Sequence, residues 1–249
     1  MSFGKKKYKS AGRAVMMLIV VSLMMTALTG CLYPKDRLKQ NQVAPKEAVR
    51  NVQAAVDDYL AQTGVLPIQN SEASVPKYEK YKVNFTTLQA KNVLGTIPAA
   101  AFENGGNYYF LIIDEETKPR VKLMDIVTTQ KVNDLQNQVN AYMKETAKVP
   151  KGEQKYKGFY SIDYKLLKIN TPEIRSVFSG QTLEAITNEA GIVFVDYGID
   201  IMQLITKNEF DEEQLKGDLR ELLVDASDYV PVKSPAYQYE NGEPSAVNP

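Results

Sequence analysis

Two absences define the chemistry open to this 249-residue chain. It has no His and a single Cys, Cys31, so Ser-His-Asp and Cys-His catalysis and Cys/His zinc sites are excluded. General acid–base work would fall to carboxylates, Lys or Tyr. Asp57 and Asp58 are adjacent in a stretch of helical period, where neighbouring side chains diverge by about 100° and cannot converge on one proton. A solvated helix face is expected there. Asp125, Asp196 and Asp200 each follow an apolar run, and Asp196-Tyr-Gly-Ile-Asp200 sets two carboxylates four apart. The Asp-x-Asp-x-Asp-Gly calcium pattern is missing, so helix N-caps are expected, Asp125 for a second helix and Asp200 for a third. Tyr78, Tyr81, Tyr108, Tyr109, Tyr156, Tyr160 and Tyr164 could hold a sugar or peptide only if several rings shared one exposed surface. No GxGxxG or GxxxxGK[ST] loop is present. The reading is a protein that is not an enzyme, with no metal and no cofactor.

The elements that would position these residues show an internal repetition. Pro45 opens a helix whose Val49, Val52, Val56, Tyr59 and Leu60 form one apolar face, stopped by Gly64 and Pro67. Val132, Leu135, Val139, Tyr142 and Met143 repeat that face 83 residues on, stopped near Pro150. Tyr81-Lys-Val-Asn-Phe85-Thr-Thr-Leu88 is echoed by Tyr160-Ser-Ile-Asp-Tyr164-Lys-Leu-Leu167, both read as extended. Matching Tyr81 with Tyr160 and Phe85 with Tyr164 favours structural roles for these rings. Each segment leads through a proline and a Phe–glycine turn (Phe102-Glu-Asn-Gly-Gly106, Phe178-Ser-Gly180) to apolar strands, Tyr108–Ile113 and Val121–Met124 in the first, Ile192–Val195 in the second. Weak alternation within these strands predicts cover on both faces.

The fold expected is α+β, with two tandem similar helix-plus-β-hairpin units, a C-terminal helical segment and an extended tail. The units span 45–127 and 128–198, helices fill 199–230, and 231–249 is read as extended or disordered from its Pro, Ser, Asn and Gly. Within 199–230 the helices are placed at Ile199–Lys207 and Asp211–Val224, the latter with Asp211, Glu212 and Glu213 in its first turn.

Residues 1–30 carry Lys5, Lys6, Lys7, Lys9 and Arg13, then an apolar run of about 16 residues, short of the roughly 20 needed to span a bilayer. The run closes in Leu28-Thr29-Gly30-Cys31, which resembles the lipobox of bacterial lipoproteins. The resemblance implies signal-peptidase recognition of Leu28, Thr29 and Gly30 and a diacylglyceryl group on Cys31. Two acyl chains suffice for stable attachment where one is marginal. Acylation would also occupy the chain's lone thiol. Residues 31–44, polar and aperiodic, then serve as a tether.

With the lipobox, the Tyr-Leu-x-x-x-Gly helix exit, the Phe-Glu-Asn-Gly-Gly turn and the Asp-Tyr strand end, the chain resembles the YphF-type lipoprotein family of Bacillus and relatives. The order of helix, Gly-x-x-Pro exit and Gly-Gly hairpin is also similar to type II secretion pseudopilin heads, in fold alone. The family resemblance implies a cell-membrane, extracytoplasmic location and carries over no binding residue. The function expected is a non-enzymatic binding or assembly module at the outer face of the cytoplasmic membrane, with protein or cell-envelope partners. The alternative is a solute-binding lipoprotein of an ABC transporter, taking a small solute. Without residues 1–30 the chain keeps 25 basic against 30 acidic residues, a net charge of −5, which argues against nucleic acid as a partner.

Overall fold

The computed structural model describes residues 45–208, 210–211 and 213–248. Leu28, Thr29, Gly30 and Cys31, the signal segment and the tether lie outside them. The fold is α+β. Helix α1 (Pro45–Thr63) buries Val49, Val52, Val56 and Tyr59, the stripe its period predicts. Gly64 ends it at φ +71, its N–H bonded to Leu60 O at 2.8 Å, a left-handed stop that costs glycine nothing. The chain turns back so that Ile68 pairs with Val83 and Lys82 pairs with Leu111. Asn84 caps α2 (Phe85–Ala90), accepting from Thr87 N at 3.1 Å. Strands β1 (Tyr108–Ile113) and β2 (Arg120–Asp125) form an antiparallel hairpin with Phe110 opposite Leu123. Across this first sheet the order is 68–69, 81–83, β1, β2.

Helix α3 (Ile126–Thr146) then buries Val132, Leu135 and Val139, and Ala147 stops it at φ +55. After it come β3 (Lys151–Tyr156), β4 (Phe159–Ile162) and α4 (Tyr164–Leu167), the last capped by Asp163. A short ribbon of β5 (Ile174–Arg175) and β6 (Thr182–Leu183) leads to β7 (Ala185–Asn188) and β8 (Val193–Val195). The second sheet runs β3-β4-β7-β8, all antiparallel.

The two halves share bonds as well as order. Thr63 Oγ1 donates to Tyr59 O and Thr146 Oγ1 to Tyr142 O, each at 2.8 Å. Asn84 N reaches Pro67 O at 2.7 Å, and Asp163 N reaches Pro150 O at 2.9 Å. Gln53 accepts from Val121 N at 2.7 Å and donates to Pro119 O at 3.2 Å. Gln136, 83 residues later, accepts from Val193 N at 2.7 Å and donates to Gly191 O at 2.8 Å. In each half a helix glutamine thus ties its helix to the last strand of the following sheet.

Three expectations are corrected. The extended segments from Tyr81 and Tyr160 become helical at Phe85 and Tyr164, because Asn84 and Asp163 act as N-caps. In place of a helix over Asp211–Val224 stands α6 (Arg220–Ala226). Asp211 and Glu213 lie in the turn before it, where Asp211 caps Gln214 N at 2.8 Å, and Glu212 lies outside the described residues. The tail is ordered: β9 (Ala236–Glu240) and β10 (Glu243–Val247) form a hairpin with Tyr237 buried. The third expected helix is present as α5 (Gly198–Lys207).

Between α6 and β9 an extended strap joins the halves. Leu123 N bonds Asp228 O at 2.8 Å and Val230 N bonds Leu123 O at 3.0 Å, while Val195 N bonds Lys233 O at 2.8 Å. Strap and α6 also cover the outer face of the first sheet, where Leu111, Ile113 and Met124 pack with Val224, Val230 and Val232. The opposite face, with Phe110, Ile112, Val121 and Leu123, packs on α1. That double cover explains the weak alternation of β1 and β2. A second core gathers α3, the second sheet, α5, α6 and Tyr237.

Candidate functional site

A groove of ≈ 470 Å³ crosses the surface where the 69–71 loop, β1, the 3-10 turn Phe102–Asn104 and the start of α3 meet. Its aromatic wall is Phe102 against Tyr109, ring centroids 4.9 Å apart and tilted by 51°. Phe102 is 48% exposed, high for so large an apolar ring. It is held there because Gly105, at φ +79, closes the 3-10 turn onto Phe102 O, and because Gly106 packs against Ala100 with no room for a Cβ. Lys82 Nζ sits 3.9 Å from the Tyr109 centroid, a cation–π distance. Burial, then the charge of Glu103, raises the Tyr109 pKa, so the phenol stays a neutral donor.

The polar wall carries Gln69, Asn70, Ser71, Thr129, Gln130 and Asn133. Thr129 is committed to Asp125 O at 2.7 Å. The side-chain amides of Asn70, Gln130 and Asn133 have no protein partner among the described residues, and both helix amides are exposed. Of the charged residues here, Glu79 is ion-paired with Lys233 at 2.9 Å, while no carboxylate among the described residues pairs with Lys80 or Lys82. The groove therefore offers two rings, amides that can both donate and accept, and two cations that rest on tyrosine rings, Lys82 on Tyr109 and Lys80 on Tyr81. Rings of this kind can stack on the apolar face of a hydroxylated ligand, and amides can bond its hydroxyls.

The singled-out residues fall at separate places. Asp57 and Asp58 are exposed on the outer face of α1, with Asp57 accepting from Gln53 at 2.9 Å. Asp125 caps α3 as expected, taking Val127 N at 2.9 Å and the Thr128 hydroxyl at 2.6 Å. The N-cap of α5 is Tyr197, which has no side-chain cap bond, so Asp200 is not the expected cap; Asp196, just before it, accepts from Gly198 N at 2.9 Å, from Tyr237 Oη at 2.7 Å and from Tyr156 Oη at 3.0 Å. Asp200 is the third residue of that helix, buried, and bonded to Ser176 Oγ at 2.7 Å. The seven tyrosines share no surface. Tyr78 is buried on Glu221, Tyr108 leans on Tyr229, Tyr160 donates to Glu189, and Tyr164 is half-buried with its pKa pushed up to about 12 by burial. Tyr81 lies under Lys80, and Tyr109 alone of the set reaches the groove. Phe102, Asn70, Gln130 and Asn133 carry no sequence signal of a site; only the Gly-Gly turn after Phe102 pointed to this neighbourhood.

Among the described residues no cluster of three or more His, Cys, Asp or Glu could hold a metal ion, and no helix is long and apolar enough to cross a membrane. Residues 45–125 match the YphF family N-terminal domain, which spans α1 through the end of β2. No curated protein and no solved structure matches the chain.

Proposed function

We propose that this chain, a member of the YphF family through its residues 45–125, is a non-enzymatic binding module of the cell envelope whose groove takes a hydroxylated glycan segment. In this reading a diacylglyceryl Cys31 tethers it to the outer face of the cytoplasmic membrane. One observation carries the ligand assignment: Phe102 and Tyr109 stand as a ring pair opposite the uncommitted amides of Asn70, Gln130 and Asn133. Rings stack on the apolar faces of sugars, and amides meet their hydroxyls.

The experiment is titration of the protein with soluble wall glycan fragments, followed by NMR shifts. Phe102→Ala should weaken binding at least about fivefold, for the loss of a ring contact of about 1 kcal/mol or more. Exposure of Phe102 keeps the cost to stability small. Unchanged affinity in that variant, or no saturable binding at all, would reject the groove as the site. The anchor is tested separately: Cys31→Ala should leave the membrane fraction, and its retention there would reject the lipid tether.

The recurrence of the Gln, Thr, Pro and cap bonds between the halves supports reading 45–127 and 128–198 as two copies of one unit. A transporter solute receptor would hold its ligand between such lobes. The cavity between these halves, beside Tyr78, Gln136, Arg220 and Lys233, is only ≈ 170 Å³, below the 300–1,000 Å³ usual for small-molecule sites. The Phe102 groove, at ≈ 470 Å³ and with Gln130 and Asn133 contributed by the second unit, is the better candidate.

A further inference from the structure

Asp200 is the one side chain among the described residues with a buried polar atom left over. It is 3% exposed, Oδ2 accepts from Ser176 Oγ at 2.7 Å, and Oδ1 has no partner. A carboxylate oxygen buried without a protein partner is costly. The fold does not require it. Helix α3 enters its sheet in the same way, following the last strand of a hairpin, and its third residue is the equally buried but neutral Thr128. A charged group at the matching position of α5 therefore needs another explanation.

Its position supplies one. Asp200 forms part of the wall of a cleft of ≈ 550 Å³ between α5, the Phe178 turn and the start of the strap. Phe178 and Tyr229 line the same cleft, with Asp228 as a second carboxylate and Lys207 at the far end of α5. Two aromatic residues beside two carboxylates suit an organic cation: an aromatic lining favours a cation, and an ammonium can donate to the carboxylate of Asp200, whose Oδ1 has no protein partner. A divalent metal fits less well, for it would want six or more oxygens or a set of waters. We propose that this cleft binds a primary ammonium group on the carboxylate of Asp200. The site is separate from the Phe102 groove and does not depend on it.

The test uses the full-length protein in detergent micelles at pH 8, with 1,4-diaminobutane as probe and the uncharged 1,4-butanediol as control, read by thermal melting and calorimetric titration. The diamine should raise the melting temperature saturably and the diol should not. Asp200→Asn keeps the shape and removes the charge. It should melt no lower than the wild type without ligand, yet bind the diamine at least about tenfold more weakly, as loss of one charge-assisted hydrogen bond dictates. Asp228→Asn, at the half-exposed rim, gives a second reading that does not touch the buried position, and it too should weaken the diamine. No diamine response in the wild type would overturn the proposal. So would an equal response in Asp200→Asn, which would leave Asp200 as a buried neutral acid.

Discussion

Gln53 and Gln136 each replace a strand partner that the end of a sheet would lack. The side-chain amide copies a peptide group, accepting from one strand N–H and donating to the carbonyl two residues earlier. Truncation to Ala should leave a part-buried N–H and C=O unpaired, at about 1–3 kcal/mol for each glutamine. In a domain of this size that lowers the melting point by roughly 2–4 °C per kcal/mol. The two losses should add, since the clamps lie in different halves. A loss for one and none for the other would refute their equivalence. Asp200 makes a prediction of opposite sign. Burial, reinforced by Asp196 on the preceding turn, raises its pKa, while the bond from the Ser176 hydroxyl pulls the other way. Lys207 and Asp228 face it along the cleft, and Tyr197, itself held neutral by burial, packs beside it. The folded protein thus keeps this proton to higher pH than the unfolded chain, so stability is lost as pH rises from the unfolded value through the folded one. Asp200→Asn should be more stable than the wild type at pH 8, and the gap should close toward pH 4. Parallel melting curves across that range would refute a raised pKa.

At the scale of elements, local chemistry explains both what the sequence disclosed and what it hid. The stripes of α1 and α3 were legible because each buries a single face and ends at a left-handed residue, Gly64 or Ala147. The turns at Phe85 and Tyr164 escaped notice because α2 and α4 are too short for a period, so only the caps Asn84 and Asp163 could reveal them. The Pro and Gly content of the tail predicts only an extended or disordered segment, although Asn241-Gly242 between Glu240 and Glu243 is itself a hairpin signal. Both residues have positive φ, +53 and +89. The candidate groove was not legible because four separate segments build it and none has a pattern of its own. The tail now carries a test. A Cβ on Gly242 meets nothing within 4 Å, so Gly242→Ala is strained by backbone alone, at about 1–2 kcal/mol. It should loosen β9–β10 and expose Tyr237 to solvent, seen as a gain of tyrosine quenching by acrylamide. Unaltered stability and quenching would show that the hairpin does not hold the second core.

For the whole molecule, the boundaries of the family domain and of the folding unit do not coincide. Residues 45–125 contain α1 and the first sheet, but the sheet's outer face is completed from far along the chain. Leu111, Ile113 and Met124 are covered by Val224, Val230 and Val232. Lys122, buried at the same junction, donates to the carbonyls of Val224 and Ser227 at the end of α6. Lys77 and Tyr78 hold Glu221 at 2.6 and 2.8 Å, and Arg120 reaches Asp225. A 45–125 fragment would lose all of this together. Exposing three large apolar side chains at roughly 1.5–3 kcal/mol each removes most of the 5–15 kcal/mol by which a domain is stable. The fragment should therefore behave as a loosely packed or self-associating species that binds hydrophobic dyes, while residues 45–249 unfold in one cooperative transition. Supplying a peptide of residues 219–235 in trans should restore packing to the fragment, and the same peptide with Val230 and Val232 changed to Ser should not. A fragment that melts cooperatively without the peptide would mean that the strap joins two independent domains and does not complete the first one.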